Sequence, residues 1–210
     1  MEILSFVETR QLLAKYKIPV CRTEIFNSKE KALAFAEKIG YPVVLKIHAQ
    51  KIFHKSELGG VKTNISNKEQ FDKAWDEINE NIKGKNIEGI LVQEMLSGNE
   101  VALGMKNDEQ FGPVVMFGLG GIFIEIIKDV AFRLAPIGRK EALEMIQEVK
   151  GYNILQGARG KKPVDIESII EMIVNLSKLS AKETNIKSID FNPVIVNDKK
   201  SLVADFRVII

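Results

Sequence analysis

The sequence predicts an α+β fold, and three observations lead there. Segments with helical periodicity lie toward both ends of the chain. The middle, from Gly89 to Leu134, reads mostly as strand. The order does not form a repeating strand–helix–strand array. Hydrophobic residues make up 45% of the chain, enough for a packed core and too many for disorder.

The elements follow in order. Ser5 caps a helix through Tyr16, with apolar positions at Val7, Leu12 and Leu13, and Lys17-Ile18-Pro19-Val20 ends it. Ser28 caps a second helix, Lys29 to Ile39, and Gly40 stops it. The first 40 residues therefore read as helical. Pro42 to His48 is a β-branched, buried strand, and Val61 to Ile65 resumes strand after a polar loop over 49–60. Asn67 caps a helix to about Ile82 with Gln70 at the capping-box position, and Phe71, Ala74, Trp75 and Ile78 form its core stripe. Gly89–Leu96 and Glu100–Lys106 are strands around Ser97-Gly98-Asn99, a hairpin signal. Pro113–Phe117 and Ile122–Ile127 flank a glycine-rich turn, and Val130–Leu134 is a further strand. Gly138 to Val149 is an amphipathic helix, Gly151 to Lys162 a polar loop, and Pro163 to Glu183 a long helix. Two strands, Ile186–Val196 and Ser201–Ile209, end the chain around Asn197-Asp198-Lys199-Lys200.

Composition excludes several classes. With 210 residues the chain suits one domain or two small lobes. One cysteine, Cys21, leaves no internal disulfide or cysteine-cluster zinc site and fits a reducing cytoplasm. No apolar run reaches the ~20 residues that cross a bilayer, and Met1-Glu2-Ile3-Leu4-Ser5 lacks the basic start of a signal peptide. A net charge of +2 argues against a dedicated nucleic-acid binder.

The C-terminal hairpin yields the sharpest chemistry. With Asp198 and Lys199 as central turn residues, Asn192 faces Asp205 and Asp190 faces Arg207. All four side chains then share one face, with opposed Cβ atoms ~4.5–5.5 Å apart. A carboxylate and an amide oxygen so placed can share a hard cation such as Mg²⁺, or they are simply a solvated polar face. Lys46 interrupts an apolar strand, where a phosphate or a nearby carboxylate would balance its charge. Phe117-Gly118-Leu119-Gly120-Gly121 can turn N–H groups toward a phosphate, or it is a tight hairpin. Gly157-Ala158-Arg159-Gly160 adds a planar cation suited to phosphate. His54 stands in the polar loop near Glu57, where a neutral imidazole can accept a phosphoryl group or lie idle at the surface. Glu94 and Glu100, with the backbone near Met95, can receive ribose hydroxyls and an adenine edge, or are exposed acids.

Taken in order, these pieces resemble a known family. The run Gly40-Tyr41-Pro42-Val43-Val44-Leu45-Lys46, then His54-Lys55-Ser56-Glu57, Gly59-Gly60-Val61, Val92-Gln93-Glu94-Met95 and Gly98-Asn99-Glu100-Val101 opens the resemblance. Phe117 to Glu125, Arg133-Leu134-Ala135-Pro136, Gly157-Ala158-Arg159-Gly160 and Ile189-Asp190-Phe191-Asn192-Pro193 complete it. The set is similar to the ATP-grasp (β) subunit of ADP-forming acetate–CoA ligases and related acyl-CoA synthetases, across nearly the whole chain. Each motif alone says little; their order is specific.

The resemblance implies an ATP-grasp fold, two α+β lobes clasping ATP or ADP. The expected bounds are a helix in 1–19, an N-terminal lobe over 20–106 and a C-terminal lobe with the metal hairpin over 107–210. It implies that Lys46 contacts nucleotide phosphates, that Glu94 and Met95 lie at the adenine hinge and that Glu100 meets the ribose. Asn192 and Asp205 would hold Mg²⁺. His54 would carry a phosphoryl group, with Asp190 and Glu57 beside it, and Gly120, Gly121 and Arg159 would lie near the phosphates. The implied reaction turns acyl-CoA, ADP and phosphate into acid, CoA and ATP. An acyl phosphate forms first, and a histidine of a partner subunit passes the phosphoryl group on.

Two departures stand out. Glu57 replaces the family's usual Asp, and the chain lacks a CoA-binding domain. The expectation is therefore a cytoplasmic chain that is inactive alone and joins a CoA-binding α subunit as an α2β2 heterotetramer. The Met1 start favours a separate subunit over one domain of a fused polypeptide. A carboxylate–amine ligase and a non-catalytic nucleotide sensor are the competing readings.

Overall fold

The computed structural model describes residues 2–49, 58–121, 124, 128–157 and 162–210. In chain order its elements begin with α1 (Phe6–Lys15), β1 (Thr23–Phe26), α2 (Lys29–Ile39), β2 (Val43–His48), β3 (Val61–Ile65), α3 (Lys68–Asn81) and β4 (Gly89–Glu94). They continue with β5 (Asn99–Asp108), β6 (Gly112–Leu119), β7 (Val130–Leu134), α4 (Arg139–Glu148), α5 (Tyr152–Leu155), α6 (Ile166–Lys182), β8 (Ser188–Val196), β9 (Ser201–Val203) and β10 (Phe206–Ile209). Among these residues no helix is long and apolar enough to cross a membrane.

The chain divides into two compact units. Cys21–Leu96 is one; Met1–Val20 together with Ser97–Ile210 is the other. The expected bounds at 106/107 and 19/20 differ from this division because β5 is hydrogen-bonded to β6 and β8, and α1 packs its Leu13 into the core of the same unit.

The inserted unit is a four-stranded sheet in the order β1-β4-β2-β3, with α2 and α3 packed on it. Alternation on β2 buries Val43, Leu45 and Ile47 against those helices, while Lys46 and His48 stay partly exposed on the other side. Phe71, Ala74, Trp75 and Ile78 are all buried, as the helical stripe requires. Ser28 and Asn67 cap their helices, but Gln70 reaches back to the Ser66 N–H (2.8 Å), one residue short of a capping box. Strand β1 falls where the sequence reads as helix. Four residues show too little alternation to declare a strand, and pairing with β4 decides the outcome.

The second unit is a sheet in the order β10-β8-β5-β6-β7, with β9 also paired to β8. Helices α4 and α6 cover one face, over Leu103, Val115, Phe117, Ile189 and Phe191. Ser5 and Glu8 close a capping box on α1. The buried stripe of α1 runs through Thr9 and Leu13, four residues apart, so Val7 is 60% exposed and not a core position. Glycine-flanked α5 folds inside the expected polar loop, too short to carry a periodic signal. The strand expected over Ile122–Ile127 lies, apart from Ile124, outside the described residues. The hairpin signal at Ser97-Gly98-Asn99 is overturned: β4 and β5 belong to different sheets, and these residues carry the chain from one unit into the other.

Candidate functional site

The C-terminal hairpin folds in the register that its turn dictates. Arg207 pairs with Asp190, Phe206 with Phe191, and Val203 with Val194. The Asn192 N–H donates to the Asp205 carbonyl (3.2 Å), so the two residues stand opposite each other. Asn197 closes the turn by accepting from the N–H groups of Lys199 (3.0 Å) and Lys200 (3.1 Å).

The second strand is broken, however. Ala204 and Asp205 leave the ladder between β9 and β10, and both N–H groups turn to the Pro193 carbonyl (3.0 and 3.3 Å). On its other side β8 carries one extra residue against β5, since Val101 pairs with Val194 but Leu103 with Phe191. The bulge shifts the alternation, burying Ile189 and Phe191 before it and Val194 and Val196 after it. Asp190 and Asn192 are thus exposed on an inner strand of the sheet, not on an edge hairpin.

Asp190 faces Arg207 on one side and Gly104 on the other. It keeps access to solvent, yet burial by the surrounding protein pushes its carboxyl above the ordinary range. Arg207 opposes that shift and the charge of Asp205 adds to it. Asp205 Oδ1 accepts the Phe206 N–H (2.9 Å). Among the described residues no three His, Cys, Asp or Glu side chains cluster as a metal nest. The donors here are oxygens, two carboxylates and one amide.

Glu100 and the glycines meet in the same unit. The Gly120 N–H donates to the Glu100 carbonyl (2.8 Å). A Cβ at Gly120 would lie 2.8 Å from Glu100 Cβ and 3.1 Å from its carbonyl atoms, so only glycine fits. Gly121 follows at φ +61°, where L side chains are disfavoured, with the Glu100 carboxylate near its missing Cβ.

In the inserted unit, Lys46 pairs across β2 with Val61 and Leu91. Among the described residues it has no ion-pair partner, which leaves the carboxylate alternative without a candidate there. His48, two residues on, lies 3.3 Å from Glu88. Glu94 ends β4 with its carboxylate on Arg22, accepting from the Arg22 N–H (2.7 Å) and Nε (2.9 Å), with Nη2 at 2.8 Å. That carboxylate is held by Arg22, where the sequence alone left it open to ribose hydroxyls or to solvent. The Met95 N–H donates to the Pro42 carbonyl (3.1 Å). His54, Glu57 and Arg159 lie outside the described residues.

Two residues escape sequence reading. Arg22 is 72 positions from Glu94, with no local pattern to join them. Asp129 is buried and accepts the N–H groups of Lys150 and Gly151 (2.9 Å each), tying the start of β7 to the turn before α5. A lone acid at the start of a strand gives no sign of that.

The family model described as an ATP-grasp domain matches residues 1–210. The β subunit of acetate–CoA ligase [ADP-forming] I from Pyrococcus furiosus is 46% identical over 208 residues, covering 97% of this chain and 90% of that one. A solved structure of the Ca. Korarchaeum cryptofilum dinucleotide-forming acetyl-coenzyme A synthetase 1, with coenzyme A, Ca-AMPCP and HgCl⁺, superposes with a TM-score of 0.94. It is 43% identical and covers 100% of this chain and 93% of that chain. Another of the same enzyme holds coenzyme A and Mg-AMPPCP, with a phosphohistidine segment pointing towards the nucleotide binding site. It gives a TM-score of 0.87 at 40% identity, covering 99% and 92%.

Proposed function

The chain belongs to the ATP-grasp family, and from that premise we propose that it is the nucleotide-binding β subunit of an ADP-forming acyl-CoA synthetase, an acid–thiol ligase. The observation that carries this reading is the match along nearly the full length of a β subunit, not to a fragment of one. In this reading the enzyme makes ATP from acyl-CoA, ADP and phosphate, in a reducing cytoplasm. A CoA-binding α subunit supplies the acyl chemistry, as an α2β2 assembly.

Each residue then has a task. Lys46 neutralises nucleotide phosphate charge. Glu94 and Met95 form the adenine hinge through their backbone, and Glu100 meets the ribose. Gly120 and Gly121 bring backbone close to the phosphates, with Arg159 nearby. His54 takes the phosphoryl group from the partner on a ring nitrogen, with Asp190 and Glu57 orienting the imidazole. When an ADP oxygen attacks phosphorus, the O–P bond forms, the N–P bond breaks with its electron pair returning to nitrogen, and the ring, protonated on its other nitrogen, leaves as neutral imidazole. The oxygen donors fit a hard cation, since the charge of Asp205 adds to the burden on ionised Asp190 and a positive charge there relieves it. Mg²⁺, held by Asn192 and Asp205, would supply neutralisation of the moving phosphoryl charge.

The test is phosphorylation with γ-labelled ATP and Mg²⁺, with and without the α subunit, followed by mass mapping. Acid-labile, base-stable phosphate on His54 is the expected result. No label on His54 in either condition overturns the relay, and a His54→Ala chain that still supports ATP formation overturns it equally.

A further inference from the structure

The beginning and the end of the inserted unit lie side by side. Antiparallel pairing sets Thr23 against Gln93, so the next position outward sets Arg22 against Glu94. In an unbroken ladder such a pair exchanges two backbone hydrogen bonds. One of them forms here, from the Glu94 N–H to the Arg22 carbonyl at 2.9 Å. The reciprocal Arg22 N–H instead donates to Glu94 Oε1, at 2.7 Å. Glu94 Oε2 takes the guanidinium, with Nε at 2.9 Å and Nη2 at 2.8 Å. The acid side chain is 11% exposed, so its charge is substantially desolvated and depends on these donors.

The clamp sits where the strand turns into the hinge. Immediately after Glu94, the Met95 N–H is fixed to the Pro42 carbonyl at 3.1 Å. The peptide N–H groups of Glu94 and Met95 are therefore held from two sides, by Arg22 and by Pro42. A flat base edge is read by donors and acceptors of fixed direction, so this rigidity bears directly on recognition.

We propose that Arg22 is a positioning residue for the nucleotide base: through the Glu94 carboxylate it fixes the backbone of Glu94 and Met95, against which the base edge is read. The inference rests on the proposed nucleotide-binding function and adds to it a residue that touches no phosphate. It also recasts Glu94, whose carboxylate orients the hinge from within the protein.

The experiment is calorimetric titration of the full chain with ADP, adenosine and inorganic pyrophosphate. In Arg22→Met the dissociation constants for ADP and adenosine rise by about tenfold, equivalent to ~1.4 kcal/mol, while that for pyrophosphate does not change. Glu94→Gln keeps the side-chain shape and an oxygen for the Arg22 N–H but drops the ion pair. It shows the same selective loss at smaller size, and serves if the first variant folds poorly. Equal weakening toward pyrophosphate marks a structural role and overturns the proposal, as does unaltered adenosine binding by a chain that binds adenosine. If the unsubstituted chain binds neither ADP nor adenosine, the nucleotide-binding reading falls, and the inference with it.

Discussion

At Asp190 function and stability pull in opposite directions. Its carboxyl is raised, first by burial and further by the charge of Asp205, against the opposing pull of Arg207. A carboxyl raised in the folded state favours folding while protonated. That contribution is whole below the ordinary carboxylate range and is lost as pH rises through the raised folded value. At neutral pH the ionised acid is a burden that the fold carries. Asp190→Asn should therefore raise Tm at pH 7, and the gain should shrink as pH falls through the raised folded value and be gone below about 4, where the unfolded acid is also protonated. Melting curves at pH 7 and pH 3.5 check this; a lower Tm at pH 7 would mean that pairing with Arg207 outweighs burial. Under the proposed relay, the same substitution should lower phosphoryl transfer in the presence of the α subunit, because an amide brings no negative charge to the phosphoryl-carrying site.

At the scale of elements, the hairpin was the most legible part. The structure shows the register that follows from Asp198 and Lys199 as central turn residues, and in it Asn192 stands opposite Asp205 and Asp190 opposite Arg207. Asn197 is the device that holds it. Its Oδ1 takes two N–H groups of the turn and its Nδ2 donates to the Ser97 carbonyl at 3.3 Å. Asn197→Ala should cost about 1 kcal/mol, lowering Tm by roughly 2–4 °C. It should also raise the Mg²⁺ concentration needed for turnover, because the proposed metal ligands, Asn192 and Asp205, depend on that register. Unchanged Tm and an unchanged metal titration would show that strand pairing alone sets it. Less legible were features decided by partners far along the chain. The bulge at Asn192 and Pro193 is visible only against β5. β1 exists because β4 is beside it, and Ser97-Gly98-Asn99 resembles a hairpin turn until the two strands are seen in separate sheets. The Arg22–Glu94 clamp has the same character. Local alternation gave Lys46 its face correctly but could not indicate which acid was already occupied.

At the scale of the whole molecule, the inserted unit has the properties of an independently folding body. Its core is its own: Ala32, Ala36, Leu45, Phe71, Ile78 and Val92 pack with one another, apart from the core formed by Val101, Phe117 and Phe191. Its two ends leave from neighbouring strands, as in insertions that tolerate excision. A polypeptide of residues 21–96 should therefore fold alone, with a mixed α/β circular dichroism spectrum, dispersed amide resonances and one cooperative urea transition. Its stability should be modest, since a body of this size buries only about 60% of its unfolded surface. Arg22→Met should lower its urea midpoint with little change in slope, because the clamp lies wholly inside it and leaves the surface exposed on unfolding unaltered. A fragment without dispersion or cooperativity would instead show that the rest of the chain is needed to close the β1–β4 edge. The clamp would then be a product of the full chain, and its effect on base recognition could be read only there.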